Sequence, residues 1–226
     1  GKHTMLEKPP GATVSEALAL TDLAAAQGVT LFATWHSRYA AGVAQAKAWL
    51  AERKLKKVEI IWKEDVRRWH PGQDWIWEAG GMGVFDPGIN ALSIMTEILP
   101  DPVHLIAATL AFPENRDTPI AADLTFSGPD DLRVTADFDW RQEGPQTWDI
   151  TVQTEDGTLR LSDGGAKLHI DDTKQALEDT GEYPGLYARF ADLIAAGDSD
   201  MDLRPLQHVA DAFMLGRRDT VAAFHD

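Results

Sequence analysis

Gly80-Gly81-Met82-Gly83-Val84-Phe85-Asp86-Pro87-Gly88-Ile89-Asn90 is the stretch around which the chain is organised. It is glycine-rich and leads into an apolar run, Ala91 to Leu99, with the character of a buried helix. Asp86 and Asn90 are four residues apart and share one face of a helix. A carboxylate can take a proton and an amide can hold a hydroxyl. The glycines would let a ligand approach the backbone closely. A purely structural reading competes with this one. Asp followed by Pro is a common helix start, with Asp as N-cap and Pro at the first helical position. The stretch alone leaves both readings open.

Upstream, residues 4–7 read as a short strand stopped by Pro9-Pro10. Thr13-Val14-Ser15-Glu16 fits a capping box. Val14, Leu18 and Ala25 form one helical face, and Gly28 is a C-terminal stop. Val29–Trp35 suits a buried parallel strand. A second helix is expected from about Ala40 to Arg53, with Val43, Ala46 and Leu50 inward. Strand, helix, strand, helix is the rhythm of a parallel α/β sheet.

Downstream the rhythm changes. Val58, Ile60 and Trp62 alternate with Glu59, Ile61 and Lys63, as in a half-buried strand. Asp65–Trp77 has no clean period and reads as a long loop. Leu132 to Trp140, and then Trp148, Ile150 and Val152, alternate again. Asp156-Gly157 and Asp163-Gly164-Gly165 are hairpin turns. The pattern predicts an antiparallel sheet with one wet face, closed by helices around 183–196 and 205–215. An α/β fragment, residues 1–36, is therefore followed by an α+β domain, residues 37–226. The fragment lacks the phosphate-binding turn Gly-x-Gly-x-x-Gly after a strand.

Composition narrows the functions. The 226 residues are 44% hydrophobic and 25% charged, as in ordinary globular domains. No apolar run approaches the roughly 20 residues of a membrane helix. Gly1-Lys2-His3 runs into a strand rather than a signal peptide. There is no cysteine, so disulfides and thiolate metal sites are excluded, and a cytoplasmic setting is permitted. A formal charge of −15 repels phosphate backbones and argues against nucleic acid as partner. His3, His104, His169, His208 and His225 show no ligand spacing, and no metal is expected.

The first nine residues, Gly1-Lys2-His3-Thr4-Met5-Leu6-Glu7-Lys8-Pro9, resemble the G-K-H-x-x-x-E-K-P signature of the Gfo/Idh/MocA oxidoreductase family. Gly80–Asn90 resembles the family's second signature, a glycine-rich turn followed by D-x-G-x-H. Order and spacing both match. The resemblance implies the end of an NAD(P)-binding Rossmann domain in residues 1–36. It also implies a mixed, largely antiparallel open-sheet domain, of the glyceraldehyde-3-phosphate dehydrogenase-like C-terminal type, in residues 37–226. That sheet would mediate a homodimer or higher homo-oligomer, and the phosphate-binding turn would precede Gly1. The family's histidine four after the aspartate is Asn90 here. That version, with Trp62-x-Glu64-Asp65 and Trp69-His70-Pro71, is similar to the family's aldose 1-dehydrogenases acting on D-galactose or L-arabinose.

The resemblance assigns roles that the residues alone leave open. Lys8 would be a surface lysine on base rates. In the family's site it polarises a substrate oxygen. Glu7, Lys8 and Pro9 would lie on the cofactor side, with a cis Pro9 aiming Lys8 into the cleft. Lys8, Asp86 and Asn90 form the implied catalytic set at the floor of a sugar-oxidising site. His36, Glu64, His70 and Trp69 would line the sugar pocket. Taken alone, His36 could be a histidine satisfied at a helix start, and Glu64 and His70 could face solvent. Trp35, Trp62, Trp69, Trp75 and Trp77 could supply a stacking wall, with Trp62 the best core candidate. The implied reaction oxidises the anomeric carbon of a free aldose to an aldonolactone with NAD or NADP. The rivals are a non-catalytic sugar- or nucleotide-sensing regulator and an oligomerisation domain on the same fold.

Overall fold

A computed structural model describes residues 1–178 and 181–225. The chain opens as one βαβ unit. Strand β1 (Thr4–Leu6) pairs in parallel with β2 (Leu31–Ala33), and helix α1 (Val14–Ala26) makes the crossover. Thr13 caps α1 by accepting from the Glu16 N–H, as its sequence predicts. The Glu16 carboxylate reaches one residue further back than in a standard capping box, to the Ala12 N–H. Gly28 follows the helix at φ 61°, where only glycine is unstrained. The inward face of α1 differs from expectation. Ala17 and Ala24 are buried with Val14 packed beside them, whereas Leu18 is 51% exposed and Ala25 is also exposed.

A 3₁₀ turn (His36–Tyr39) leads to α2 (Val43–Leu50), whose Val43, Ala46 and Leu50 are buried as the spacing requires. Strand β3 (Leu55–Lys63) follows. The segment expected as loop folds into α3 (Val66–Trp69), capped by the Asp65 carboxylate, and a 3₁₀ turn (Asp74–Trp77). Both are too short to leave a period in the sequence. Helix α4 (Phe85–Ile98) then crosses the core. The remaining elements are β4 (His104–Pro113), β5 (Ala121–Ser127), β6 (Arg133–Asp139), β7 (Thr147–Thr154), β8 (Thr158–Ser162), β9 (Lys167–Ile170), β10 (Thr173–Lys174), α5 (Glu182–Ala196), α6 (Arg204–Leu215) and β11 (Arg217–Val221).

Strands β3 to β11 form one nine-stranded open sheet in the order β10-β9-β8-β7-β3-β6-β5-β4-β11. It is mostly antiparallel, with parallel pairs only at β3–β6 and β4–β11. The alternation read from sequence holds. Val58, Ile60 and Trp62 on β3 and Val134, Ala136 and Phe138 on β6 point into the core. Helices α2, α4 and α6 cover this face, so the core lies between one helical layer and one sheet. The β1–β2 pair is a separate sheet, tied to the other end of the chain. Ala33 N–H donates to Asp200 O, and Phe32 packs with Leu186 and Leu193 of α5.

Helix α4 passes close to the sheet because Gly88 lacks a side chain. A Cβ there would meet the Phe138 ring at 2.7 Å. At the helix start, Gly83 has φ 54° and a Cβ would lie 2.4 Å from Pro119 O. The close approach that these glycines permit is therefore to the protein's own ring and backbone. Gly81 is similar, with Ile76 O at 2.5 Å from an added Cβ.

Candidate active site

Helix α4 begins two residues earlier than the Asp-Pro signal suggests. Val84 occupies the N-cap position and makes no side-chain cap bond, while its N–H is tied to Pro119 O at 2.8 Å. Asp86 thus sits inside the first turn with Pro87 after it, and the capping reading is overturned. Its carboxylate is free to face across the molecule, and what it meets is Lys8.

Lys8 follows β1 and is joined to Pro9 by a cis peptide bond. Its Nζ donates to Asp86 Oδ1 at 3.0 Å and to the Asp86 carbonyl at 2.9 Å. Both side chains are largely buried, 17% and 12% exposed, so the pair is partly shielded from solvent screening. Asn90, one helical turn on, is half-buried on the same face. Its side chain makes no protein hydrogen bond among the described residues.

The second Asp86 oxygen faces His70, which lies at the end of α3. His70 Nε2 is 3.6 Å from Asp86 Oδ2 and 3.7 Å from Glu64 Oε1. Its Nδ1 is 3.3 Å from Gln73 Oε1, and its ring lies against Trp140. Burial alone would lower the His70 pKa. The Glu64 contact, then the Asp86 charge and the Gln73 bond, outweigh burial and raise it above the ordinary value.

Glu64 is 5% exposed, which requires its charge to be satisfied locally. Two indole N–H groups do this. Trp140 Nε1 donates to Oε1 at 3.3 Å and Trp148 Nε1 to Oε2 at 2.9 Å. Trp69 is 43% exposed, leans on Trp148 with ring centroids 5.5 Å apart, and donates to Gln146 Oε1 at 3.3 Å. Lys8, Asp86, His70 and Glu64 thus stand in one continuous line, with Trp69 at its rim.

Other assignments divide. Trp35, Trp62 and Trp77 are core residues, so of the tryptophans considered for a stacking wall only Trp69 and Trp75 are exposed. His36 is joined to none of the four linked residues. Its Nδ1 lies 2.6 Å from Glu182 Oε2, and its ring stacks on Tyr183 at 6°. It does share their end of the β1–β2 sheet, because Lys8 and His36 follow the C-terminal ends of paired strands and Thr34 is bonded twice to Leu6 O. Glu7 is exposed beside Lys8. Sequence reasoning missed Trp140 and Trp148 as partners of Glu64 and Glu182 as the partner of His36. The two tryptophans carried only a strand signal, and Glu182 lies 146 residues from His36.

The cofactor side can be tested on the groups present. Pro9 borders a mainly apolar groove of about 360 Å³ with Gly80, Gly81, Met82, Leu206 and Phe213. A groove of that lining fits a planar aromatic ring. The N-terminus of α1 does not suit a phosphate, because the Glu16 carboxylate already occupies it. A larger cavity, about 750 Å³, opens between α2 and α5. Its cations Arg38, Lys47, Arg189 and Arg204 are each paired with a carboxylate. The Lys8–Asp86 pair is the better site on chemical grounds.

No protein-family profile matches the chain. It is 46% identical over 228 aligned residues to a galactose 1-dehydrogenase of Pseudomonas fluorescens, covering 100% of this chain and 73% of that protein. It is 62% identical to the D-galactose-1-dehydrogenase of Rhizobium etli, whose crystal structure superimposes with a TM-score of 0.94 over 99% of this chain and 72% of that one. A 3-ketoreductase from Actinomadura kijaniata, solved with NADP and TDP-benzene, shares the fold at 16% identity, with a TM-score of 0.80 over 98% of this chain and 72% of that one.

Proposed function

The chain belongs to the galactose 1-dehydrogenase family, and on that premise we propose that it oxidises the anomeric carbon of a free aldose to the aldonolactone. The relatives' names favour D-galactose over L-arabinose as substrate. NAD or NADP, when bound, supplies the hydride acceptor. Glu7, Lys8 and Pro9 with the adjoining apolar groove are the residues that would hold its nicotinamide end. Residues 1–36 are taken as the end of the Rossmann domain, a reading that the βαβ unit supports.

The observation that carries the mechanism is the pair of hydrogen bonds from Lys8 to Asp86. An ammonium has three donors. Two are directed at Asp86, which leaves one for a substrate oxygen. Lys8 then stabilises negative charge developing on the anomeric oxygen, and the Asp86 carboxylate takes the hydroxyl proton. The C1–H bond is lost as hydride with its electron pair, the O1–H bond gives its proton to Asp86, and C1=O forms. Asn90, on the same face as Asp86, orients the hydroxyl with its unengaged amide. His70 holds Asp86 from the other side, and Glu64 with its two indoles holds His70. His36, Glu64, His70 and Trp69 bind the remaining hydroxyls and the apolar face of the sugar.

The protein is read as a cytoplasmic homodimer or higher homo-oligomer. Support for assembly comes from the uncovered face of the nine-stranded sheet, where Thr125 and Thr135 are paired between Asp123–Asp137 and Ser127–Arg133. No described helix is long and apolar enough to cross a membrane.

Reduction of NAD or NADP should be followed with D-galactose, L-arabinose and the methyl glycoside of each. The free sugars should react and the glycosides, which lack an anomeric hydroxyl, should not. Equal rates with the glycosides, or no reaction with either free sugar, would overturn the reading.

A further inference from the structure

His36 is an expected pocket residue that no bond connects to the Lys8–Asp86–His70–Glu64 chain among the described residues. It is nevertheless firmly oriented. Glu182, in the first turn of α5, brings Oε2 to 2.6 Å from His36 Nδ1. Tyr183, the next residue, lays its ring parallel to the imidazole, with 6° between planes and 5.9 Å between centroids. Ser37 Oγ is 3.4 Å from the same Nδ1. The 3₁₀ turn that carries His36 is itself anchored, since Arg38 Nε donates to Ser93 O in α4 and Arg38 Nη2 to Asp202 Oδ2.

We propose that Glu182 and Tyr183 form a clamp that fixes His36 as a hydrogen-bond acceptor for a sugar hydroxyl through Nε2. An ionised carboxylate can only accept, so a neutral His36 must carry its proton on Nδ1. That leaves the Nε2 lone pair as the free polar group of the ring. Such an atom selects a donor, and every sugar hydroxyl is one. The stacked phenol removes the ring's freedom to rotate about the carboxylate contact. Glu182 and Tyr183 are therefore positioning residues: they act on the substrate through His36. A second consequence follows from topology. The clamp lies on α5, 146 residues along the chain from His36, so the docking of α5 on the β1–β2 unit becomes a condition for sugar binding.

The inference rests on the aldose-oxidising reading for its consequence but not for its geometry, and two measurements separate them. The first is the tautomer of His36, read from long-range proton–nitrogen-15 spectra of the chain. The wild-type ring should be protonated on Nδ1 when neutral. In Glu182→Ala the signal should move toward a mixture of tautomers, and Glu182→Gln, whose amide oxygen still accepts, should restore it. A wild-type ring protonated on Nε2 would overturn the clamp whatever the enzyme oxidises.

The second is steady-state kinetics of the full enzyme. Glu182→Ala should raise KM for the sugar about tenfold with kcat within about threefold, and Glu182→Gln should recover most of the loss. Among monodeoxy galactoses, the one lacking the hydroxyl that meets His36 should be bound alike by wild type and Glu182→Ala. An unchanged KM for the parent sugar would overturn the positioning role. Wild-type inactivity on all free aldoses would instead remove the functional reading and leave the tautomer result standing on its own.

Discussion

The Lys8 ammonium donates twice to one residue, to the carboxylate and to the main-chain carbonyl of Asp86, at 3.0 and 2.9 Å. The carbonyl bond does not depend on the side chain at position 86. Substitution of the carboxylate therefore leaves Lys8 one of its two anchors. Asp86→Asn also keeps an oxygen for the other anchor and disturbs no cap, because Asp86 is not one. The variant should melt within a few degrees of wild type. An amide cannot act as a base near neutral pH, and general-base help is worth about 10²–10⁴-fold. The rate of aldose oxidation should fall at least about 100-fold. Turnover near that of wild type would remove Asp86 from proton transfer and leave Lys8 to do it.

His70 makes stability fall as pH rises past its unfolded value. Its pKa is raised in the fold, against burial, by Glu64, Asp86 and Gln73. Such a group contributes its full stabilisation below the unfolded value near about 6.5, and that contribution is lost as pH rises through the folded value. The melting temperatures of wild type and His70→Gln should differ by a constant amount below about pH 6.5. The gap should narrow on going to more alkaline pH. A gap that widens would mean that His70 is held neutral.

His208 works in the opposite direction. It is 8% exposed, packs edge-on to Phe126, and its Nδ1 has no hydrogen-bond partner among the described residues. Burial, the largest effect, pushes its pKa down to about 4, with Asp211 opposing and His104 and Arg204 assisting. A histidine buried neutral stabilises the fold above about pH 6.5 and loses that stabilisation as pH falls toward its folded value. In that window wild type should lose up to about 1.4 kcal/mol per pH unit from this residue alone. His208→Leu should flatten the acid limb of a plot of melting temperature against pH between about 6.5 and 4. An unchanged acid limb would show that His208 does not contribute to it.

The uncovered sheet face gives a prediction on assembly. Thr125 and Thr135 are directly paired on β5 and β6, between core positions Leu124, Phe126, Val134 and Ala136 that face the helices. Sedimentation of the wild-type protein should show a dimer or larger species, and Thr125→Arg with Thr135→Arg should shift it to monomer by placing two cations mid-sheet. A wild-type monomer at high micromolar concentration would end the idea.

Much of the architecture was legible because it is written in local periods. Alternation on β3 and β6 and the spacing of Val43, Ala46 and Leu50 are consequences of burying one face of a regular element, and Asp156-Gly157 marks the tight turn that joins two antiparallel strands. The failures have equally local causes. The buried face of α1 runs through Ala17 and Ala24 rather than Leu18, and apolar spacing alone does not distinguish the two. Helix α3 and the turn over Asp74–Trp77 are shorter than any period can reveal.

The sequence by itself determined the longer helices, the strands β1, β2, β3, β6 and β7, the signatures at Gly1–Pro9 and Gly80–Asn90, and hence which residues could carry the chemistry. It could not decide whether Asp86 capped a helix or faced a lysine, because both fit the same local pattern. That was decided by contacts over long separations. Pro119 holds the N–H of Val84 and so sets where α4 starts, and Lys8 reaches Asp86 across 78 residues. In the same way, Asn90 stands where the family's histidine would be, and an imidazole comes to Asp86 from His70 on another element. A carboxylate's role depends on which charges stand within a few ångströms of it, and only the folded chain brings those charges there.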